Sequence, residues 1–227
     1  MIFENRLQAG RLLAEKVAWF GKYKPVVLGL SRGGVPVGYE IAKRLEVPLE
    51  IIVVRKIGSP ENKEFGIGAL AEEHTQIFDE EIIQALRIPL SSVMDIVEEE
   101  KKEIKRKIGI YRRGETLPDL SGKAVIITDD GLATGVTAEA AIKEVKKHNP
   151  EKILLTCPVG ARNTVNDLRK YVDEIVCLIT PSDFTSVGIW YRQFGEVTDN
   201  EVINLLDHSQ RSSDKNHVHN FIPHFIF

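Results

Sequence analysis

Val125-Ile126-Ile127-Thr128-Asp129-Asp130-Gly131-Leu132-Ala133-Thr134-Gly135-Val136-Thr137 is the stretch on which the reading of this chain turns. Ala124–Thr128 is a short run dominated by β-branched residues, the pattern of a strand buried on both faces of a parallel sheet. It ends in two adjacent carboxylates and passes through a loop holding Gly131, Thr134, Gly135 and Thr137. A helical pattern over Ala138–Lys147 follows. Ligands of open parallel sheets bind beyond the carboxyl ends of the strands. A helix N-terminus there offers unpaired N–H groups and a partial positive charge, so an anion such as phosphate is a natural occupant. Gly135 lets the backbone approach that anion with no Cβ in the way, and Thr134 and Thr137 add hydroxyl donors. The loop carries no lysine, which disfavours a Walker-type cradle for a nucleoside triphosphate.

Asp129 and Asp130 impose the opposite requirement. Carboxylates repel phosphate but accept hydrogen bonds from neutral hydroxyls. A group carrying both a phosphate and a diol satisfies both halves, and ribose 5-phosphate is such a group. The plainer alternative, two aspartates capping an ordinary strand–helix turn, leaves most of the string unexplained.

Outward from this stretch the same rhythm recurs. Val26–Leu30 reads as a buried strand, Val35–Leu45 as a helix and Leu49–Val54 as a second strand, a unit that implies a right-handed parallel crossover. Lys152–Cys157 and Glu174–Ile179 supply two more strands, with a helix around Thr164–Tyr171 between them. Helical spacing also marks Arg6–Phe20, Asp79–Leu86, Asn200–Leu206 and a long segment, Ser91–Arg112. The charge run Glu98–Glu103 within that long segment reads as a solvated face, because the apolar stripe Val93, Val97, Ile104, Ile108 and Tyr111 runs straight through it. Residues 57–68, rich in glycine and charge, read as a mobile loop flanked by short β pieces at Ala69–Ala71 and Gln76–Phe78. The expected fold is α/β, one doubly wound, mostly parallel sheet flanked by helices, over residues 1–207. A small hood segment at about 180–196 and a C-terminal tail, 208–227, complete it.

Composition agrees with an ordinary globular chain: 227 residues, 43% apolar and 28% charged. Thirty Lys and Arg against 33 Asp and Glu leave a net charge of −3, so no bulk positive field favours nucleic acid. No apolar run approaches the roughly 18–20 residues of a membrane span, and Met1–Arg6 lacks the pattern of a signal peptide. Cys157 and Cys177 read as small buried thiols in a reducing compartment, and a cytoplasmic location is expected. His208, His217, His219 and His224 crowd the C-terminus, where fraying is a better account than metal binding. His74 and His148 show no partner in the sequence.

The string Val125–Thr137 resembles the phosphoribosyl-pyrophosphate (PRPP) motif of type I phosphoribosyltransferases: apolar residues, two acidic ones, a short spacer, then Thr-Gly-x-Thr. Thr128 and Gly131 depart slightly from the usual apolar choices. Phe3–Leu13, Ser31-Arg32-Gly33-Gly34-Val35-Pro36-Val37, Val54-Arg55-Lys56, Tyr111-Arg112-Arg113-Gly114 and Phe184–Phe194 are similar to a sparsely characterised branch of that superfamily. The resemblance implies transfer of ribose 5-phosphate from PRPP to a nitrogenous base, with Mg²⁺ and release of pyrophosphate. It assigns Ala133, Thr134, Gly135, Val136 and Thr137 to the 5-phosphate, and Arg32, Gly33, Gly34, Arg55 and Lys56 to the pyrophosphate. Asp129 and Asp130 would serve the ribose hydroxyls, the chemistry and the metal. Residues 57–68 match a flexible catalytic loop in which Lys63 steadies the leaving group and Glu61 or Glu64 accepts a proton. Phe184, Val187, Trp190, Tyr191 and Phe194 are hood candidates, with Trp190 and Tyr191 positioned to stack on a base. Ala133 stands where 6-oxopurine enzymes of the family carry aspartate, and Leu132-Ala133-Thr134-Gly135 is more similar to the adenine enzymes. A homodimer is expected from the same likeness.

Two other classes compete. A regulatory protein could keep the PRPP-binding loop without turnover, with a basic face built in a dimer from Arg112, Arg113 and the long helix. A sugar-phosphate phosphohydrolase fits the anion loop but leaves Arg32 and the mobile loop with less to do.

Overall fold

The computed structural model of the protein describes residues 1–63, 65–73 and 75–218, with the backbone alone over 212–218. The five strands expected from the apolar runs form one sheet: β1 (Val26–Leu30), β2 (Leu49–Ile52), β6 (Ala124–Thr128), β7 (Lys152–Val159) and β8 (Glu174–Ile179). Their order is β2-β1-β6-β7-β8 and every pairing is parallel. Side chains alternate across it as the twofold period of a strand demands. Val27, Ile51, Ile126 and Leu154 pack toward α1 (Arg6–Val17), α2 (Gly34–Leu45) and α7 (Asp199–Val218). Leu28, Val125, Ile127 and Leu155 face the other way, toward α5 (Val136–Lys147) and α6 (Arg162–Leu168). Helices on both faces make the sheet doubly wound and bury both sides of its strands, which explains why their sequences read as continuous apolar runs.

The second sheet departs from the sequence reading. The run Leu49–Val54 is not one strand: β2 stops at Ile52, and β3 (Val54–Gly58) begins an antiparallel ribbon with β4 (Gly66–Ala71) and β5 (Gln76–Phe78). The switch has a local cause. Val53 donates its N–H to Glu72 Oε1 at 3.3 Å and Val54 donates to Ser31 Oγ at 3.3 Å, so neither is left to extend the parallel ladder. Unbroken apolar character across Ile51–Val54 hides that change of partner. Residues 57–68 are correspondingly more regular than their composition implies. The turn lies between β3 and β4 and is closed by Ser59 N–H to Phe65 O at 2.8 Å and Phe65 N–H to Asn62 O at 2.9 Å.

Among the remaining helices, α3 (Glu80–Ala85) and α4 (Leu90–Arg112) lie where the periodicity set them, while α7 continues to Val218, well beyond Leu206. His219 and His224 lie outside the described residues. No described helix is long and apolar enough to cross a membrane. Cys157 and Cys177 are free thiols on neighbouring strands. Phe3 packs into a small cluster with Tyr191, Phe184, Val187, Trp190 and Phe194, which fastens the hood to the chain's beginning. Backbone bonds complete the seam, Phe3 N–H to Trp190 O at 2.8 Å and Arg192 N–H to Phe3 O at 2.9 Å.

Candidate functional site

The carboxyl ends of β1 and β6, neighbours in the sheet, bring two loops into contact. Gly33 lies so close to the acid pair that a Cβ there would sit 2.1 Å from Asp130 Oδ2, and one on Gly34 would lie 2.3 Å from Thr128 O. Any larger residue would force the loops apart. Gly135 holds the left-handed conformation (φ +77°) that ends the second loop and opens α5. No side chain caps that helix, so its first-turn N–H groups are available to an anion. Ala133 and Thr134 stand exposed at the loop's rim, and Thr164 Oγ1 donates to Ala133 O at 2.5 Å to brace it. Val136 and Thr137 follow as the first residues of the helix, both half-buried.

Asp129 and Asp130 are recessed at the floor. Asp130 donates its backbone N–H to Asp129 Oδ1 at 2.8 Å. Burial, and then the neighbouring Asp130 charge, push the Asp129 carboxyl well above its usual range. Burial also raises Asp130, against the pull of Arg6. Arg6, the first residue of α1, donates from Nε to Asp130 Oδ2 at 2.7 Å and from Nη1 to Gly195 O at 2.8 Å. Its guanidinium also lies 3.9 Å from the Phe194 ring centroid. Tyr191 donates its hydroxyl to Asp130 O at 2.6 Å.

Arg32 follows the cis peptide Ser31–Arg32. Its guanidinium is engaged by Glu196 and lies 3.5 Å from Asp199. Asp199, at the start of α7, also accepts from Lys107 Nζ at 2.6 and 2.8 Å and from the Tyr111 hydroxyl at 2.5 Å. Burial opposes its charge, but these donors together with Arg32 outweigh it and hold Asp199 below its ordinary pKa. Arg55 and Lys56 do not end a parallel strand. They lie within β3, where Arg55 Nε donates to Glu100 Oε2 at 2.7 Å. Lys63 is exposed in the ribbon's turn, as is Glu61, while Glu64 lies outside the described residues.

Two sequence expectations need correction. Tyr191 is buried, with Phe3 and Phe194 rings centred 5.4 and 5.0 Å from its own, so it supports the acid loop from beneath and offers no open stacking face. Trp190 is half-buried beside it, with Nε1 unpartnered among the described residues. Arg112 contributes nothing to a basic surface: it is buried against Glu72. Arg6, Lys107, Glu196 and Asp199 were missed as site residues. No local pattern marks them, since 124 residues separate Arg6 from Asp130 and 167 separate Arg32 from Asp199.

Comparison with known proteins agrees with this geometry. Residues 2–191 match the phosphoribosyl transferase domain family. The chain is 39% identical over 211 residues to a Mycobacterium tuberculosis protein named, provisionally, as a phosphoribosyl transferase; the match covers 92% of this chain and 47% of that one. The chain thus spans about half the length of the curated relatives it matches over most of its own length. A uracil phosphoribosyltransferase of Aquifex aeolicus is 35% identical over 77 residues, 30% of this chain and 37% of the other. A solved structure from Thermus thermophilus superposes with a TM-score of 0.75 at 37% identity, covering 91% of this chain and 98% of that one. With the motif, the sheet order and these matches in agreement, the chain belongs to the phosphoribosyl transferase domain family.

Proposed function

We propose that the protein transfers ribose 5-phosphate from PRPP to a nitrogenous acceptor and releases pyrophosphate. The observation that carries this reading is the contact between two strand-end loops. The uncapped N-terminus of α5 suits a 5-phosphate, the aspartates suit ribose hydroxyls, and the Gly33–Gly34 backbone suits the pyrophosphate, all at one end of the sheet.

The donor chemistry at Asp129 and Asp130 fits Mg²⁺: two successive carboxylates offer hard oxygen donors, burial opposes the charge of both, the Asp130 charge further opposes that of Asp129, and a cation would favour both charges. Bound there alongside the substrate's own oxygens, the ion would neutralise the leaving pyrophosphate. The residues do the remaining work. Asp129 and Asp130 hold the ribose and lend negative charge near the oxocarbenium-like centre that forms as the bond to pyrophosphate stretches. Gly135 and the first turn of α5, with Thr134 and Thr137, fix the phosphate end. The turn at 59–65 excludes water, which would otherwise hydrolyse PRPP, and Lys63 on it steadies the leaving group while Glu61 takes a proton. Trp190 serves the acceptor. Ala133 disfavours a 6-oxopurine, and the likeness to a uracil enzyme adds pyrimidines to the acceptors worth testing. A cytoplasmic homodimer belongs to the same reading.

Two observations favour a second reading, a PRPP-sensing protein without turnover: Arg32 is held by two carboxylates and Lys63 stands exposed. Titration calorimetry with PRPP and Mg²⁺, on the wild type and on Asp129→Asn/Asp130→Asn, tests the shared site. Pyrophosphate release across a panel of purine and pyrimidine bases then separates the two. Binding lost in the double variant, with release for one base that Lys63→Ala abolishes, supports the transferase. Binding without release for any base supports the sensor, and no binding overturns both.

A further inference from the structure

Away from the strand-end loops, a second polar cluster sits where the β4–β5 turn meets the last turn of α5. Glu73, Glu144 and His148 each turn one ligand atom toward a common point, all within 4.8 Å of one another. Glu144 is wholly buried, yet only one of its oxygens is satisfied. Oε2 accepts the Thr75 N–H at 3.2 Å and lies 3.5 Å from Lys147 Nζ, while Oε1 has no hydrogen-bond partner among the described residues. His148 Nε2 and Thr75 Oγ1 are likewise buried without a hydrogen bond among the described residues. Three unsatisfied polar atoms around one buried carboxylate are costly unless something else fills the gap.

We propose that Glu73, Glu144 and His148 form a binding site for a divalent transition metal, zinc by ligand type and number. Zinc takes carboxylate oxygen and imidazole nitrogen at about 2.0–2.2 Å in tetrahedral geometry. Two such ligands are then about 3.4 Å apart, and His148 Nε2 lies 3.3 Å from Glu73 Oε2. The Glu144 carboxylate provides the third ligand and water the fourth. Glu144 is closed off, whereas Glu73 is 40% and His148 20% exposed, so the ion has a path from solvent. The site is independent of the phosphoribosyl reading and shares no residue with it. A bound ion would clasp the antiparallel ribbon, with the turn between β3 and β4, to α5, the helix that follows Gly135.

The test uses the full chain, freed of tags and stripped with chelator. His217, His219 and His224 are replaced by alanine so that the histidine-rich tail cannot compete. Calorimetric titration with Zn²⁺ is expected to show one equivalent bound, a higher Tm, and with Co²⁺ the visible absorption of a four-coordinate N/O site. Glu144→Gln keeps the shape and removes the charge, and His148→Ala tests the cluster from a position whose loss is less of a threat to folding. Each should weaken binding at least about tenfold, since even outer-shell partners of a metal are worth that much, with PRPP binding unchanged. Zinc bound equally well by both variants, or not at all by the parent, overturns the proposal. If PRPP binding fails while this titration succeeds, only the phosphoribosyl reading falls.

Discussion

Asp129 shows how a single residue carries opposed demands. Its pKa is raised, so the folded protein holds a proton that the unfolded chain has already lost. The folded state therefore binds more protons than the unfolded one between the ordinary carboxylate pKa, about 3.9, and the higher folded value. Stability contributed at this position is lost as pH rises through that window. Asp129→Asn removes the penalty, and its Tm advantage over the wild type should be larger at pH 8 than at pH 5 in paired thermal melts of the ligand-free protein. Arg32 presents the complementary case. Glu196 is largely exposed, so its pairing is worth about 0–1 kcal/mol. Glu196→Gln should tighten pyrophosphate binding by no more than about fivefold, measured by calorimetry, and weaker binding would show that Glu196 helps the ligand.

At the scale of elements, the junction of β6, its loop and α5 depends on Gly135. A β-branched side chain there would adopt the left-handed conformation at about 1–3 kcal/mol. Its Cβ would also meet Thr164 Cγ2 at 2.5 Å. Gly135→Val should lower Tm and abolish 5-phosphate binding together, whereas Thr134→Ala should weaken binding and leave Tm nearly unchanged. This junction was legible in advance because every cue to it is local: a β-branched run, two acids, a glycine, then helical spacing. The β2–β3 break was not legible. It is decided by side chains of Ser31 and Glu72, about twenty residues away on either side, that take the N–H groups of Val54 and Val53.

Across the whole molecule, Glu72 and Arg112 tie the second sheet to the end of the long helix. Both are buried, burial presses the Arg112 guanidinium below its usual pKa, and its Nε and Nη1 find no partner among the described residues. Such a pair adds little over a well-packed apolar substitute, but losing one member strands a charge at about 3–5 kcal/mol. Arg112→Ala should therefore unfold at markedly lower denaturant, and a Glu72→Gln/Arg112→Met double variant, which keeps an acceptor for the Val53 N–H, should recover most of the loss. A single variant as stable as wild type would mean the pair is solvated.

The division between sequence and tertiary structure follows the range of the interactions. Strand and helix periodicity, the Gly135 turn and the acid pair at a strand end are set by neighbours along the chain, and the sequence alone determined them, together with the five parallel strands and their flanking helices. What encloses the acid pair was decided only in three dimensions. Arg6 reaches Asp130 from the first helix, Tyr191 props its carbonyl from the hood, and Glu196 and Asp199 hold Arg32. His148 meets Glu73 and Glu144 in the same way. A charge or a hydroxyl is visible in a sequence, but the partner that satisfies it is chosen by whichever backbone the folded core carries alongside.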